Sequence, residues 1–240
     1  MRGTLYIVGV GPGDPELLTL KAVRVLEKCS TWFAPKAHSE GESTALNIVA
    51  GEVDLKDKNI LTHRFPMKHV RRGEDVDPEL AGAWKDAAVD IIACLERGEN
   101  VAFPTLGDPA IYSTAFYVYE VLAACEYTGP IEVVPGVSSI GASAASAQIP
   151  LCLGDERLLV LPATFENGKL SELMKNVDAA VFMKVYRVLD RMIEFLEAEG
   201  LVEKAILIER TSCGDQRIWH DIREARGEEL HYFSTMLVRK

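Results

Sequence analysis

The apolar run Tyr6-Ile7-Val8 leads without a polar break into Gly9-Val10-Gly11-Pro12-Gly13. Such a run reads as a strand buried on both faces, and glycines at its carboxyl end admit a close backbone approach that a side chain would block. A helical period follows over residues 15–28, with Leu17, Leu18, Ala22, Val25 and Leu26 on one face and Pro15 suited to the first turn. Further strands are expected at Thr31-Trp32-Phe33-Ala34, 59–62 and 100–103. Leu80, Trp84, Ala87, Ala88, Ile91 and Leu95 recur at three and four, the clearest amphipathic helix of the chain, which Gly98 ends. A helix over 109–124, a strand at 131–134 closed by Pro135-Gly136, and a small-residue helix at 137–147 come next.

The pattern then begins again. Strands are expected at 158–161, 179–183, 205–208 and 234–238, with a helix carrying Leu189, Met192, Ile193 and Leu196. Alternating strands and helices predict an α/β fold in two domains: 1–128 with a parallel sheet and 129–240 with a mixed sheet. The break is placed in Tyr127-Thr128-Gly129-Pro130, with Ile149-Pro150 as the other choice.

At 240 residues the chain is long enough for either one large core or two small ones, so length alone does not decide this. No apolar run approaches the ~18–20 residues of a membrane span and no signal-peptide pattern precedes the first strand, so a cytoplasmic protein without a membrane partner is expected. A net charge of −10 argues against nucleic acid as a partner. Cys29, Cys94, Cys125, Cys152 and Cys213 form no close pair and no His/Cys cluster, so no metal site and no disulfide framework is expected.

Three strand-end loops carry the candidate chemistry. In the first, a dinucleotide GxGxxG would need its third glycine at position 14, which is Asp14, while Pro12 lacks an N–H for pyrophosphate. The second strand also ends in Pro35-Lys36, without the acid that would bind ribose. The loop otherwise reads as a structural turn. The second loop, Thr105-Leu106-Gly107-Asp108-Pro109-Ala110-Ile111, also reads as a helix start with Asp108 as N-cap. The third, Val134-Pro135-Gly136-Val137-Ser138-Ser139, offers hydroxyls where a helix leaves free N–H groups. In an open parallel sheet such loops gather at one edge, where ligands bind, so the three predict one pocket lined by backbone.

GVGPGDPELLT, GDPAIYST and VPGVSS resemble the S-adenosylmethionine-dependent tetrapyrrole methylases of corrin and sirohaem synthesis, in order and spacing along the whole length. Pro35 and the ending Tyr232-Phe233-Ser234-Thr235-Met236-Leu237-Val238 look most like the branch that methylates carbon 20 of precorrin-2 or cobalt-factor II; an Asp in place of Pro35 would fit the uroporphyrinogen branch. The resemblance implies two α/β domains with the cofactor in a cleft between them, a tetrapyrrole substrate and a homodimer. It implies S-adenosylmethionine contacts from Pro12, Leu106, Gly107, Asp108, Ile111, Ser138, Ser139, Met183, Ser234 and Thr235. Asp108, Tyr112 or water would take a proton after methylation, and Tyr112 and Tyr117 read equally as packing aromatics.

A substrate with eight carboxylates calls for a basic surface, and residues 63–72 supply one before the first acid at Glu74. Arg64, Lys68, Arg71 and Arg72 are the candidates, with Lys36 and His38 on the neighbouring rim and Lys184 elsewhere; a solvated loop is the other reading. Competing functions keep the fold and change the ring position, act on a macromolecule, or sense the cofactor without turnover.

Overall fold

The computed structural model describes residues 1–36, 43–66, 68, 70, 75–163 and 169–240. They divide into two compact units, Met1–Ser138 and Ser139–Lys240. The division lies beyond Gly129-Pro130, because the strand that follows that break pairs back into the first sheet.

In the first unit, strands β1 (Leu5–Gly9), β2 (Thr31–Phe33), β3 (Asn59–Leu61), β4 (Val101–Thr105) and β5 (Ile131–Val134) form a parallel sheet in the order β3-β2-β4-β1-β5. Helices α1 (Leu20–Lys28) and α2 (Thr44–Val49) pack on one face against Tyr6, Val8 and Trp32. Helices α3 (Pro78–Glu96) and α4 (Ala115–Ala124) pack on the other against Leu5, Ile7 and Phe103. The chain leaves β1 toward β2 but leaves β4 toward β5, in opposite directions along the sheet. The carboxyl ends of β1 and β4 therefore flank the topological switch point of an open α/β sheet.

Two expected helices are shorter than their apolar spacing suggested. Leu18 is extended (φ −64°, ψ 134°), so the 15–28 period splits into a 3₁₀ turn over Pro15–Leu17 and α1, which Thr19 caps by accepting from the Ala22 N–H at 3.1 Å. The 109–124 helix begins only at Ala115. Tyr112 takes φ +52°, a left-handed conformation no α-helix allows, and the Ser113 hydroxyl accepts from the Ala115 N–H at 3.1 Å. Asp108 therefore caps no helix.

The second unit holds helices α5 (Ser139–Ser146), α6 (Leu170–Lys175) and α7 (Leu189–Ala198). Its mixed sheet, ordered β6-β7-β10-β8-β9, joins β6 (Leu158–Pro162), β7 (Ala179–Met183), β8 (Ala205–Glu209), β9 (Arg217–Trp219) and β10 (Ser234–Arg239). Leu189, Met192, Ile193 and Leu196 of α7 are buried in its core, as their spacing predicts. Helices α2 and α6 and strand β9 escaped the sequence reading because each is too short to show a period.

Glu209 is buried at the end of β8 and accepts from the Arg217 Nε–H at 2.7 Å and from the His231 N–H. Burial pushes its carboxyl up, but the Arg217 guanidinium and the His231 N–H outweigh burial and hold it below the usual range. The stability this gives is complete above the unfolded value near ~4.3 and is lost as pH falls through the lowered folded value. Arg217→Ala should leave the carboxylate half-satisfied and cost about 2 kcal/mol at neutral pH. Urea unfolding of Arg217→Ala at pH 7 and pH 4 checks this: the deficit should be larger at pH 7.

Candidate active site

The three glycine loops converge in the first unit. Gly11 and Gly107 form an antiparallel bridge across the switch point: the Gly107 N–H donates to the Gly11 carbonyl at 2.8 Å and the Gly11 N–H returns at 3.3 Å. Gly136, after β5, packs on both other strand ends. A Cβ there would lie 2.3 Å from the Gly107 carbonyl oxygen and 2.8 Å from the Gly9 Cα; one on Gly9 would lie 2.6 Å from the Gly136 nitrogen. No side chain fits at either position. Gly107 (φ +69°) and Gly11 (φ +77°) also hold backbone conformations that suit glycine.

Asp108 ties two of these loops together. One carboxylate oxygen accepts from the Ala110 N–H at 2.8 Å and the other from the Gly136 N–H at 3.0 Å. Of the expected cofactor contacts, Pro12 and Gly107 are buried and Leu106, Asp108, Ile111 and Ser138 are half-buried on these same loops. Ser139 opens α5 of the second unit. Tyr112 is half-exposed on its left-handed corner, and Tyr117 is stacked on Trp84 with ring centroids 4.4 Å apart, the packing role the sequence also allowed. Gly9 and Gly136 went unselected as contacts; their position directly at two strand ends was the available signal.

In the second unit, Met183 and Thr235 pair across β7 and β10, with Ser234 beside them. Ser234 is 1% exposed, and its Oγ has no hydrogen-bond partner among the described residues. A buried hydroxyl left without a partner asks for one from outside the chain. By itself, the side-chain-free glycine cradle of the first unit offers the close backbone approach that a nucleoside-bearing cofactor needs. Burial pushes the Cys29 thiol up to about 11 and also raises Cys94 and Cys213, so these three are not activated.

The basic segment is less free than its sequence suggests. Lys36 and Arg64 are brought together by a parallel backbone bridge, the Lys36 N–H donating to the His63 carbonyl at 2.9 Å. Lys68, however, lies 2.8 Å from both Asp77 and Glu79, and His63 lies 2.8 Å from Asp90. The Lys68 ammonium holds the Asp77 carboxyl below its ordinary range and is itself raised. Arg64 reaches Glu79 at 4.0 Å. Asp77 caps α3, and Glu79 and Asp90 lie on it; a count of charges along 63–72 could not see them. Arg71, Arg72 and His38 lie outside the described residues.

The cobalt-precorrin-2 C(20)-methyltransferase of Salmonella typhimurium is 32% identical over 100% of this chain and 98% of its own length. The precorrin-2 C(20)-methyltransferase of a Sinorhizobium species is 32% identical over 98% of this chain and 95% of its own. Among solved structures, a uroporphyrin-III C-methyltransferase from Thermus thermophilus complexed with S-adenyl homocysteine superposes with a TM-score of 0.67 at 21% identity, covering 98% of this chain and 97% of that one. The family model of the tetrapyrrole (corrin/porphyrin) methylases matches residues 4–225, and the chain belongs to that family.

Proposed function

We propose that the chain is an S-adenosylmethionine-dependent methyltransferase acting on carbon 20 of precorrin-2 or its cobalt-bearing form, in cobalamin biosynthesis. The observation that carries this is full-length similarity to two relatives named for that position. Both are 32% identical, one named with cobalt and one without, so these two relatives favour neither form of the macrocycle.

When bound, S-adenosylmethionine supplies a methyl group already activated on sulfur. The protein's task is then placement of donor and acceptor at roughly 3–3.5 Å. In this reading Gly9, Gly107 and Gly136 give backbone access, while Pro12, Leu106 and Ile111 present apolar surface. Ser138, Ser139, Met183, Ser234 and Thr235 add polar and thioether contacts. Asp108 positions the loops, its two oxygens already engaged, which leaves Tyr112 as the side chain proposed to face the reacting carbon. Lys36, Arg64, Arg71 and Arg72 are proposed for the macrocycle carboxylates. A homodimer in the cytoplasm completes the proposal on the family resemblance.

Anaerobic incubation of the protein with methyl-labelled S-adenosylmethionine and each macrocycle tests it. A product one methyl heavier, with the label located at carbon 20 by NMR, is expected. Label at another ring carbon, or binding without transfer, would overturn the assignment.

A further inference from the structure

We propose that Gln216 is a positioning residue for the methyl donor, holding helix α5 and the start of β10 in one frame, an inference that rests on the methyltransferase reading above. The loop that leaves β8 after Glu209 carries two left-handed residues that are not glycine, Arg210 at φ +50° and Ser212 at φ +62°. Each is costly by itself. The loop keeps them because Thr211, between the two, is buried and its hydroxyl lies 2.7 Å from that of Ser143, which is fully buried on α5.

Gln216 makes the second attachment to the helix. Its side-chain carbonyl accepts from the Ser212 N–H at 2.7 Å and from the Ser146 hydroxyl at 3.1 Å, so one oxygen holds both the loop corner and the helix. A backbone N–H can only donate, which fixes the amide with its oxygen toward Ser212. Ser143 and Ser146 stand three residues apart and share a face of α5. Apart from Ile140 the side chains of this helix are small and bury little apolar area, so its polar attachments set where it sits.

The near end of the loop reaches β10. The Arg210 N–H donates to the Phe233 carbonyl at 2.8 Å, directly before Ser234, and α5 itself packs on β10. Ser139, which opens α5, and Ser234 and Thr235, which open β10, are the proposed donor contacts of this unit. Gln216 acts through them by fixing their spacing. Asp215 supplies an internal control: it pairs with Arg210 at 2.6 Å on the same loop but is 63% exposed, where an ion pair contributes little.

The test measures S-adenosylhomocysteine binding by calorimetry on the whole protein, beside the melting temperature. Ser146→Ala removes one donor and suits a helix, so it should weaken binding about threefold with the melting temperature retained. Gln216→Leu frees the loop corner and the helix together and should weaken binding about tenfold. Because both bonds end on one oxygen, adding Ser146→Ala to Gln216→Leu should bring no further loss. Gln216→Glu keeps an accepting oxygen and should restore wild-type binding, and Asp215→Ala should leave it unchanged. Wild-type affinity in Ser146→Ala or Gln216→Leu overturns the proposal, as do additive losses in the double variant or a Gln216→Glu protein as weak as Gln216→Leu. If the wild type itself binds no S-adenosylhomocysteine, the methyltransferase reading fails first and the positioning role falls with it.

Discussion

Gly136→Ala is expected to destabilise the first unit by about 3 kcal/mol or more and to abolish measurable binding of S-adenosylhomocysteine. The added methyl group would sit 2.3 Å from the Gly107 carbonyl oxygen and 2.8 Å from the carbonyl carbon and Cα of Gly9. These are backbone atoms of two adjoining strand ends, so no rotamer change can relieve the overlap. β5 or the Gly11–Gly107 bridge must move, and either movement opens the cradle. Two other substitutions separate this steric effect from ordinary glycine loss. Gly11→Ala meets Leu17 at 3.3 Å or farther and suffers mainly from its φ of +77°, a cost of about 1–2 kcal/mol. Gly141→Ala lies within α5 with nothing inside 4 Å and should stabilise its helix by up to ~1 kcal/mol. Urea midpoints and calorimetric titration of the three variants should rank in that order. A Gly136→Ala protein with wild-type midpoint and affinity would show that the three turns do not meet.

Much of this arrangement was legible in the chain. Tyr6-Ile7-Val8 and Ile131-Glu132-Val133-Val134 mark parallel strands by composition, and glycines at their carboxyl ends mark the edge where backbone is exposed. A parallel sheet sends all such ends to one side, which is why loops distant in sequence could be expected to meet. Less legible was whatever depends on pairing across the fold. Asp108-Pro109 reads locally as a helix start, and only the position of Gly136 reveals that its carboxylate serves a different loop. Residues 63–72 read as a basic surface or a solvated loop, because Asp77, Glu79 and Asp90 lie beyond the segment and meet His63, Arg64 and Lys68 only through the way α3 folds back. The local code for helices and strands is short-ranged; charge neutralisation and loop stitching are not.

The role of Asp108 is the sharpest case, and Asp108→Asn decides it. Both carboxylate oxygens accept backbone N–H bonds, at 2.8 Å from Ala110 and 3.0 Å from Gly136. Asparagine keeps one acceptor and turns an NH2 toward the other donor, so one loop is released and a donor faces a donor. Stability should fall by about 2 kcal/mol, the cost of a charge-assisted bond lost at a half-buried site. The affinity for S-adenosylhomocysteine should fall with it, since the glycine cradle is held shut by this carboxylate, while kcat at saturating donor stays near the wild type. A proton-accepting Asp108 predicts the reverse: intact binding and stability with kcat reduced ~100-fold or more. Steady-state kinetics with both substrates varied, read beside the melting temperature, distinguishes the outcomes. The geometry favours the first, because a carboxylate whose two oxygens each already accept a fixed N–H bond across a loop junction has little freedom to turn toward a reacting carbon.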